Sequence, residues 1–187
     1  MTDSAPSPDG VIELRVERLG LLFDPLDPFP IPARDLSKRA EEFILDWARG
    51  LPSEQPIRIV VHAPDEEVQG AEAGYVDDAI KAHFANNASI AASDLRELFR
   101  IGRISLLIGL FVLSACIVAA SMIGASFGET PVTQFFSEGL IILGWVANWR
   151  PLEIFLYDWW PLARRLKLQQ RLANAAVEIR PMRVVAS

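Results

Sequence analysis

An uninterrupted apolar run constrains this chain more than any other feature. From Ile104 to Gly128 the sequence has about 25 residues without a charged side chain, and Arg100 and Arg103 lie just before the run. An α-helix rises about 1.5 Å per residue, so roughly 20 apolar residues cross a hydrocarbon core about 30 Å thick. The run therefore predicts a transmembrane helix.

A second apolar segment follows after a short loop, from about Thr133 to Trp149 and onward to Trp160. Two registers fit this segment. In the first, Glu138 lies at the outer interface of the membrane and the helix reaches Asp158 at the inner one. This register places charged residues at membrane depth, where an ionisable group without a partner costs about 2.5–3.5 kcal/mol.

In the second register, the helix starts at Thr130 and Pro131, and Trp149 and Arg150 mark the inner interface. Pro151 would then end or kink the span, because proline lacks the backbone N–H that a helix interior needs. The residues after it would lie along the inner surface. The sequence leaves both registers open.

The distribution of basic residues predicts the orientation of the two spans. The loop between them, residues 128–139, has Glu129 and Glu138 but no basic residue. By the positive-inside rule, basic flanks stay in the cytoplasm. We therefore expect a multi-pass protein of the cell inner membrane with both termini cytoplasmic. The basic residues that flank the spans are Arg96, Arg100, Arg103, Arg164, Arg165, Lys167 and Arg171.

Charged residues at the inner ends of the spans form a candidate functional cluster. Arg150 and Glu153 are three residues apart, so they share a helix face and can pair. Across the hairpin, Arg100 and Arg103 are placed to neutralise Glu153 or Asp158. Three interpretations stay open: an interfacial cluster that fixes depth and orientation, a path for ions or protons, and a contact with a partner subunit.

Before the spans, the hydrophobic pattern predicts a small βαβ unit. Val11–Arg18 alternates apolar and charged residues, which is typical of a half-buried strand. Asp35 is placed to cap a helix that ends near Gly50, and a second, more apolar strand is predicted over 57–62. A strand, a crossover helix and a strand favour parallel pairing.

Residues 161–174 predict a basic, leucine-rich amphipathic helix. Helices of this kind lie on the surface of anionic membranes. The lipid-facing basic side chains of this one are predicted to be Arg164, Arg165, Lys167 and Arg171.

The last segment, from Ala176 to Val185, has strand character. Pro181 cannot donate to a strand ladder, so it favours an edge position. We expect this tail to return to the N-terminal sheet and add a strand to it.

Together these patterns predict an α+β membrane protein, a two-helix transmembrane hairpin with a small cytoplasmic βαβ-containing domain. The stalk helix before the first span either continues into it or breaks near Ser93 and Asp94, where Asp94 and Glu97 resemble a capping box. The predicted order is a disordered tail (1–9), the α/β domain (10–74), the stalk helix (75–103), the first span (104–128), an external loop (129–132), the second span with its interfacial extension (133–160), the basic helix (161–174) and the C-terminal strand and tail (175–187).

A proline-rich loop, residues 22–33, is the candidate docking surface of the soluble domain. Preformed extended segments lose little entropy on binding. An alternative hypothesis makes Asp24, Asp27 and Arg34 the acid–base site of a membrane-tethered enzyme, although Asp-Pro pairs are also common turn formers. The predicted docking residues are Phe23, Asp24, Asp27 and Phe29.

Motifs for catalysis, cofactors or metals are missing from the sequence. The two histidines, His62 and His83, lack a metal-ligand spacing, and the single cysteine, Cys116, has no partner for a disulfide. A net charge of −6 opposes nucleic-acid binding, for which a basic footprint is expected. We therefore expect no cofactor, no metal and no nucleic-acid partner.

This lack of catalytic motifs favours a non-enzymatic function, a membrane-anchored interaction or assembly subunit. The expected partners are the lipid bilayer and either further copies of the chain or another membrane protein. The alternative is an oligomeric two-helix channel or transport subunit, since two spans per chain line a pore only by assembling. That alternative predicts water-facing polar residues in the spans, namely Ser114, Ser121, Asn148, Arg150 and Glu153.

Overall fold

The computed structural model describes residues 10–30, 34–70, 73–128 and 130–182. The chain divides into two compact units. The α/β unit comprises the chain up to Ile90 together with the residues from Arg165 onward, and the helical unit comprises Ala91–Arg164. The predicted disordered tail over 1–9 and the last residues of the predicted C-terminal segment lie outside the described residues.

The α/β unit contains a three-stranded parallel sheet in the order β1-β2-β3. Strand β1 is Val11–Arg15, β2 is Arg58–Ala63 and β3 is Ala176–Pro181. The register pairs Ile12 with Ile59, and Ile59 with Val177. The structure thus confirms the parallel β1–β2 pair and the prediction that the C-terminal segment adds an edge strand, with Pro181 at its last position.

Helix α1, Lys38–Gly50, connects β1 to β2. Its N-terminal cap is Ser37, whose hydroxyl accepts the N–H of Ala40, so the prediction that Asp35 caps this helix is wrong. Asp35 lies two residues too early for the cap and binds a histidine instead, as described below. A single short turn, α2 (Asp65–Val68), occupies the acidic segment after β2.

Helix α3, Ala73–Phe127, is a single α-helix of 55 residues that contributes to both units. The possible break near Ser93 and Asp94 does not occur. The first turns of α3 supply Val76, Ile80 and Phe84 to the core of the α/β unit, where all three are buried. The residues beyond Ile90 belong to the helical unit.

Helix α4, Pro131–Ala147, begins with Thr130 as its cap, since the Thr130 hydroxyl accepts the N–H of Thr133 at 3.2 Å. This start matches the second of the two registers. The helical course continues beyond Pro151, however, through α5 (Trp149–Glu153), a π-helical turn (Ile154–Asp158) and α6 (Trp159–Ala173).

The irregularity that Pro151 causes lies one turn before it. A proline ring crowds the carbonyl four residues earlier and offers it no N–H, and here that carbonyl belongs to Ala147. The regular helix gives way at Asn148, whose N–H bonds the carbonyl of Trp145 at 3.0 Å, three residues back. Proline therefore distorts this segment without ending it.

In the helical unit, α3 and the segment from α4 to the π turn pack side by side. The Ser137 hydroxyl donates to the Ala120 carbonyl at 3.3 Å, and the Asn148 amide donates to the Gly109 carbonyl at 3.0 Å. As residue numbers rise along one helix, those of the contacted residues fall along the other, so the two run antiparallel. The segments Ala73–Phe127 and Pro131–Ala173 are long and apolar enough to cross a membrane by length and composition.

Candidate functional site

The predicted charge cluster is present in part, as a trio around Arg150. The guanidinium of Arg150 donates to Glu153 Oε2 at 2.9 Å and lies 3.1 Å from Asp158 Oδ2. The predicted i,i+3 pair is therefore confirmed. The π-helical turn begins directly after Glu153 and has Asp158 as its last residue.

Arg100 and Arg103, the other two predicted members, have different surroundings. Arg100 donates to Glu97 Oε1 at 2.7 Å, one turn earlier on α3. Arg103 makes no ion pair or hydrogen bond with the residues that the structure describes. The described contacts thus bring three of the five predicted residues together and place these two elsewhere in the helical unit.

Both arginines line an open cavity of about 620 Å³ on α3. The arginines give the cavity a basic wall, and the rings of Phe99 and Phe155, which stack with their centroids 6.2 Å apart, give it an apolar one. Phe155 comes from the π-helical turn. The lining residues are Ser93, Arg96, Glu97, Phe99, Arg100, Arg103 and Phe155.

The predicted docking loop is shaped by its two aspartates. Asp24 Oδ1 accepts the N–H of Leu26 at 2.9 Å, and Asp27 accepts the N–H of Phe29 at 3.0 Å and that of Asp35 at 2.9 Å. The backbone hydrogen bond from Asp35, followed by that from Phe29, lowers the pKa of Asp27 below its ordinary value. Both carboxylates therefore hold the loop in shape.

The two phenylalanines of the loop have opposite environments. Phe23 is 1% exposed and belongs to the core, so it cannot contact a partner, and its place among the docking residues is corrected. Phe29 is 60% exposed, and Leu26, which the sequence pattern did not single out, is 89% exposed. The only sequence signal for Leu26 was its position between the two Asp-Pro turns.

Arg34, the third residue of the alternative acid–base hypothesis, donates from Nε to the Phe29 carbonyl at 2.9 Å. Asp24, Asp27 and Arg34 are therefore all hydrogen-bonded to the backbone of the loop. These contacts are those of a structural framework.

The basic residues of the predicted lipid-facing helix divide into two groups on α6. Arg164, Arg165 and Lys167 are exposed. Arg171 instead donates to the carbonyls of Pro52 at 2.7 Å and Gln55 at 2.9 Å. We therefore do not count Arg171 among the lipid-facing residues, because its guanidinium fastens α6 to the loop before β2.

A buried histidine network in the α/β unit was not predicted from sequence. His83 Nδ1 lies 3.0 Å from Asp35 Oδ1, and its Nε2 lies 3.1 Å from the Asn87 amide nitrogen, which also donates to Glu41 at 3.0 Å. The backbone N–H of Leu36 also donates to Nδ1, at 3.4 Å. The network joins α3 to α1 and to Asp35, which follows the docking loop. Among the described residues, no group of histidine, cysteine or carboxylate side chains could hold a metal ion.

The polar residues predicted to line a pore mostly bind nearby backbone. The hydroxyl of Ser114 donates to the Leu110 carbonyl at 2.8 Å, and that of Ser121 to Val118 at 2.7 Å. Asn148 is 7% exposed, and its amide bridges the carbonyls of Gly109 and Gly144. These contacts stabilise individual helices and their packing.

No protein-family model, no curated protein and no solved structure matches this chain. Its class is therefore defined by the fold alone, a mixed helix-and-sheet protein with two helices long and apolar enough to span a membrane.

Proposed function

We propose that this protein is a membrane-anchored interaction subunit whose α/β unit docks a partner protein through Leu26 and Phe29. Its hairpin anchors it in the inner membrane with both ends in the cytoplasm. The observation that supports the docking role is that Leu26 and Phe29 are exposed on a loop whose aspartates accept hydrogen bonds from the loop backbone.

Support for the membrane anchor comes from the two long apolar helices and their exposed side chains. Large apolar residues along both helices, among them Leu107, Phe111 and Phe135, are more than two-thirds exposed. Contiguous exposed apolar surface of this kind marks a membrane or protein interaction site. These side chains lie on the uncharged stretch of α3 and at the start of α4. The hydrocarbon core of a bilayer would therefore bury them away from water.

The docking role follows from the energetics of the loop. An exposed leucine and an exposed phenylalanine each gain about 1.5–3 kcal/mol when a partner buries them. The described part of the loop loses little entropy on binding, because the backbone N–H groups of Leu26, Phe29 and Asp35 already donate hydrogen bonds to its aspartates. Its ends are also joined, through the N–H of Asp24 and the carbonyl of Asp35 at 2.9 Å.

Photo-crosslinking in intact membranes tests this proposal. A benzoylphenylalanine side chain at Phe29 or Leu26 should give one covalent adduct of defined mass after illumination. The matched control is the same probe at Phe43, a 40% exposed phenylalanine on α1 of the same unit. Absence of any adduct at both loop positions, or an equal spread of adducts from the Phe43 probe, would refute the docking role.

Extraction with alkaline carbonate tests the anchor separately. A hairpin that spans the bilayer stays in the membrane pellet. A thiol-reactive probe that cannot cross membranes should leave the variants Arg39→Cys and Gln170→Cys unlabelled in intact cells, although both positions are exposed on the protein surface. Release of the chain into the supernatant would refute the anchor, and labelling from outside would refute the proposed orientation.

A further inference from the structure

We propose that the cavity lined by Arg96, Arg100, Arg103, Phe99 and Phe155 binds the phosphate of an anionic glycerophospholipid. This inference rests on the proposed membrane anchor, and it assigns a specific lipid site where the sequence indicated only a general attraction of basic residues to the inner surface.

The first step in the argument is the charge of the cavity. Three guanidinium groups face one carboxylate, that of Glu97, which is occupied by Arg100 at 2.7 Å. Arg96 bonds only the Ser93 hydroxyl, at 3.0 Å, and Arg103 has no partner among the described residues. Two cationic groups of the cavity therefore lack an anion.

The geometry of the helix aligns these groups. Arg96, Arg100 and Arg103 are spaced by four and then three residues, so they follow one another along a single face of α3. At about 1.5 Å per residue, the first and last are separated by roughly 10 Å along the axis. A guanidinium presents paired N–H donors that match the oxygens of a phosphate, which a lysine does not.

The position of the cavity along the chain then selects a lipid as the source of the phosphate. Arg103 is the last charged residue before the uncharged run that begins at Ile104. In a bilayer, the headgroup layer on each side is about 5–7 Å thick beyond the hydrocarbon core. Arg100 and Arg103, which precede Ile104 by about 6 and 1.5 Å along the helix axis, thus lie at the depth of lipid phosphates once α3 spans the membrane.

The apolar wall distinguishes a phospholipid from a free anion. Phe99 and Phe155 stack against each other, and both line the cavity together with the arginines. A glycerophospholipid places its phosphate beside the glycerol backbone and the start of its acyl chains, so it satisfies both walls at once. Inorganic phosphate satisfies only the basic one.

Lipid binding to the full-length protein, measured by native mass spectrometry with added phosphatidylglycerol, tests the assignment. The double variant Arg96→Gln with Arg103→Gln should bind phosphatidylglycerol at least tenfold more weakly, equal to about 1.4 kcal/mol. The matched control, Arg164→Gln with Arg165→Gln, removes the same charge from exposed positions outside the cavity and should change binding less than twofold. Phe155→Ala, which keeps all charges, should weaken binding about threefold.

Several results would overturn the proposal. Equal losses in both double variants would show diffuse surface attraction, and equal binding of phosphatidylcholine would remove the need for net negative charge. Displacement of the lipid by millimolar inorganic phosphate, or no effect of Phe155→Ala, would make the site one for free anions. If the protein stays in the membrane pellet after carbonate extraction but shows no preference for phosphatidylglycerol, only the lipid site is refuted. If carbonate releases the protein, the membrane anchor is refuted.

Discussion

The contact between the two long helices at Gly109 makes a quantitative prediction possible. A Cβ built on Gly109 would lie 2.7 Å from Asn148 Oδ1 and 3.1 Å from the Ala147 carbonyl oxygen. The first distance is well inside van der Waals contact. Asn148 cannot simply rotate away, because its amide nitrogen donates to the carbonyls of both Gly109 and Gly144 at 3.0 Å.

We expect Gly109→Ala to destabilise the packed hairpin by about 1–3 kcal/mol. Overpacking costs about 1–3 kcal/mol. Loss of the Asn148–Gly109 hydrogen bond adds about 0.6 kcal/mol, the mean for interhelical bonds in membranes. The higher helix propensity of alanine offsets about 1 kcal/mol of this cost.

Gly124→Ala is the matched control in the same helix. No described atom lies within 4 Å of a Cβ built there, so only the gain in helix propensity remains, about 0 to 1 kcal/mol in favour of the folded state. The assay is reversible unfolding in mixed micelles with increasing dodecyl sulfate, followed by tryptophan fluorescence. If Gly109→Ala unfolded within 0.5 kcal/mol of the unsubstituted protein, or if Gly124→Ala were equally destabilised, the packing argument would fail.

Two further predictions concern the α/β unit. Phe23→Ala should lower the free energy of unfolding by about 3–5 kcal/mol, because it empties a core position. Phe29→Ala should change the free energy of unfolding by less than about 0.5 kcal/mol, because Phe29 is exposed. Hydrogen exchange of the β2 amides measures both changes. The hydrogen bonds that Asp27 accepts from backbone N–H groups lower the pKa of its carboxyl group. The stabilisation that ionised Asp27 gives the loop is therefore present above about pH 3.8 and is lost as the pH falls through the folded-state pKa. Protection factors of the Phe29 and Asp35 amides should therefore be unchanged down to about pH 3.8 and fall as the pH is lowered further, and Asp27→Asn should remove most of that fall.

Local patterns in the sequence predicted much of the secondary structure, since hydrophobic period and helix length act within one element. In each of three elements, the order of apolar and polar residues alone indicates which side chains are to be buried. These elements are the alternating strand β1, the apolar strand β2 and the uncharged part of α3. The i,i+3 pair of Arg150 and Glu153 was predictable for the same reason, because helix geometry alone brings those residues together.

Contacts between distant segments had no such local signal. The sequence suggested that Arg100 and Arg103 reach the carboxylates after Arg150. The structure instead pairs Arg100 with Glu97, and both arginines line a cavity together with Phe155. Which residues meet there depends on the axial offset between the two helices. The close approach of the two helices at Gly109 and Gly144 sets that offset. It depends on both helices together, so the sequence pattern of one helix does not predict it.

The same division separates the residues of the docking loop. The sequence by itself predicted a turn-rich loop over residues 22–33, because four prolines and two aspartates restrict the backbone locally. Only the tertiary structure decided that Phe23 is buried and that Leu26 and Phe29 are exposed. The physical reason is that burial of a loop side chain depends on the core beneath it, and that core is assembled from strands, α1 and the first turns of α3, which are far apart in sequence.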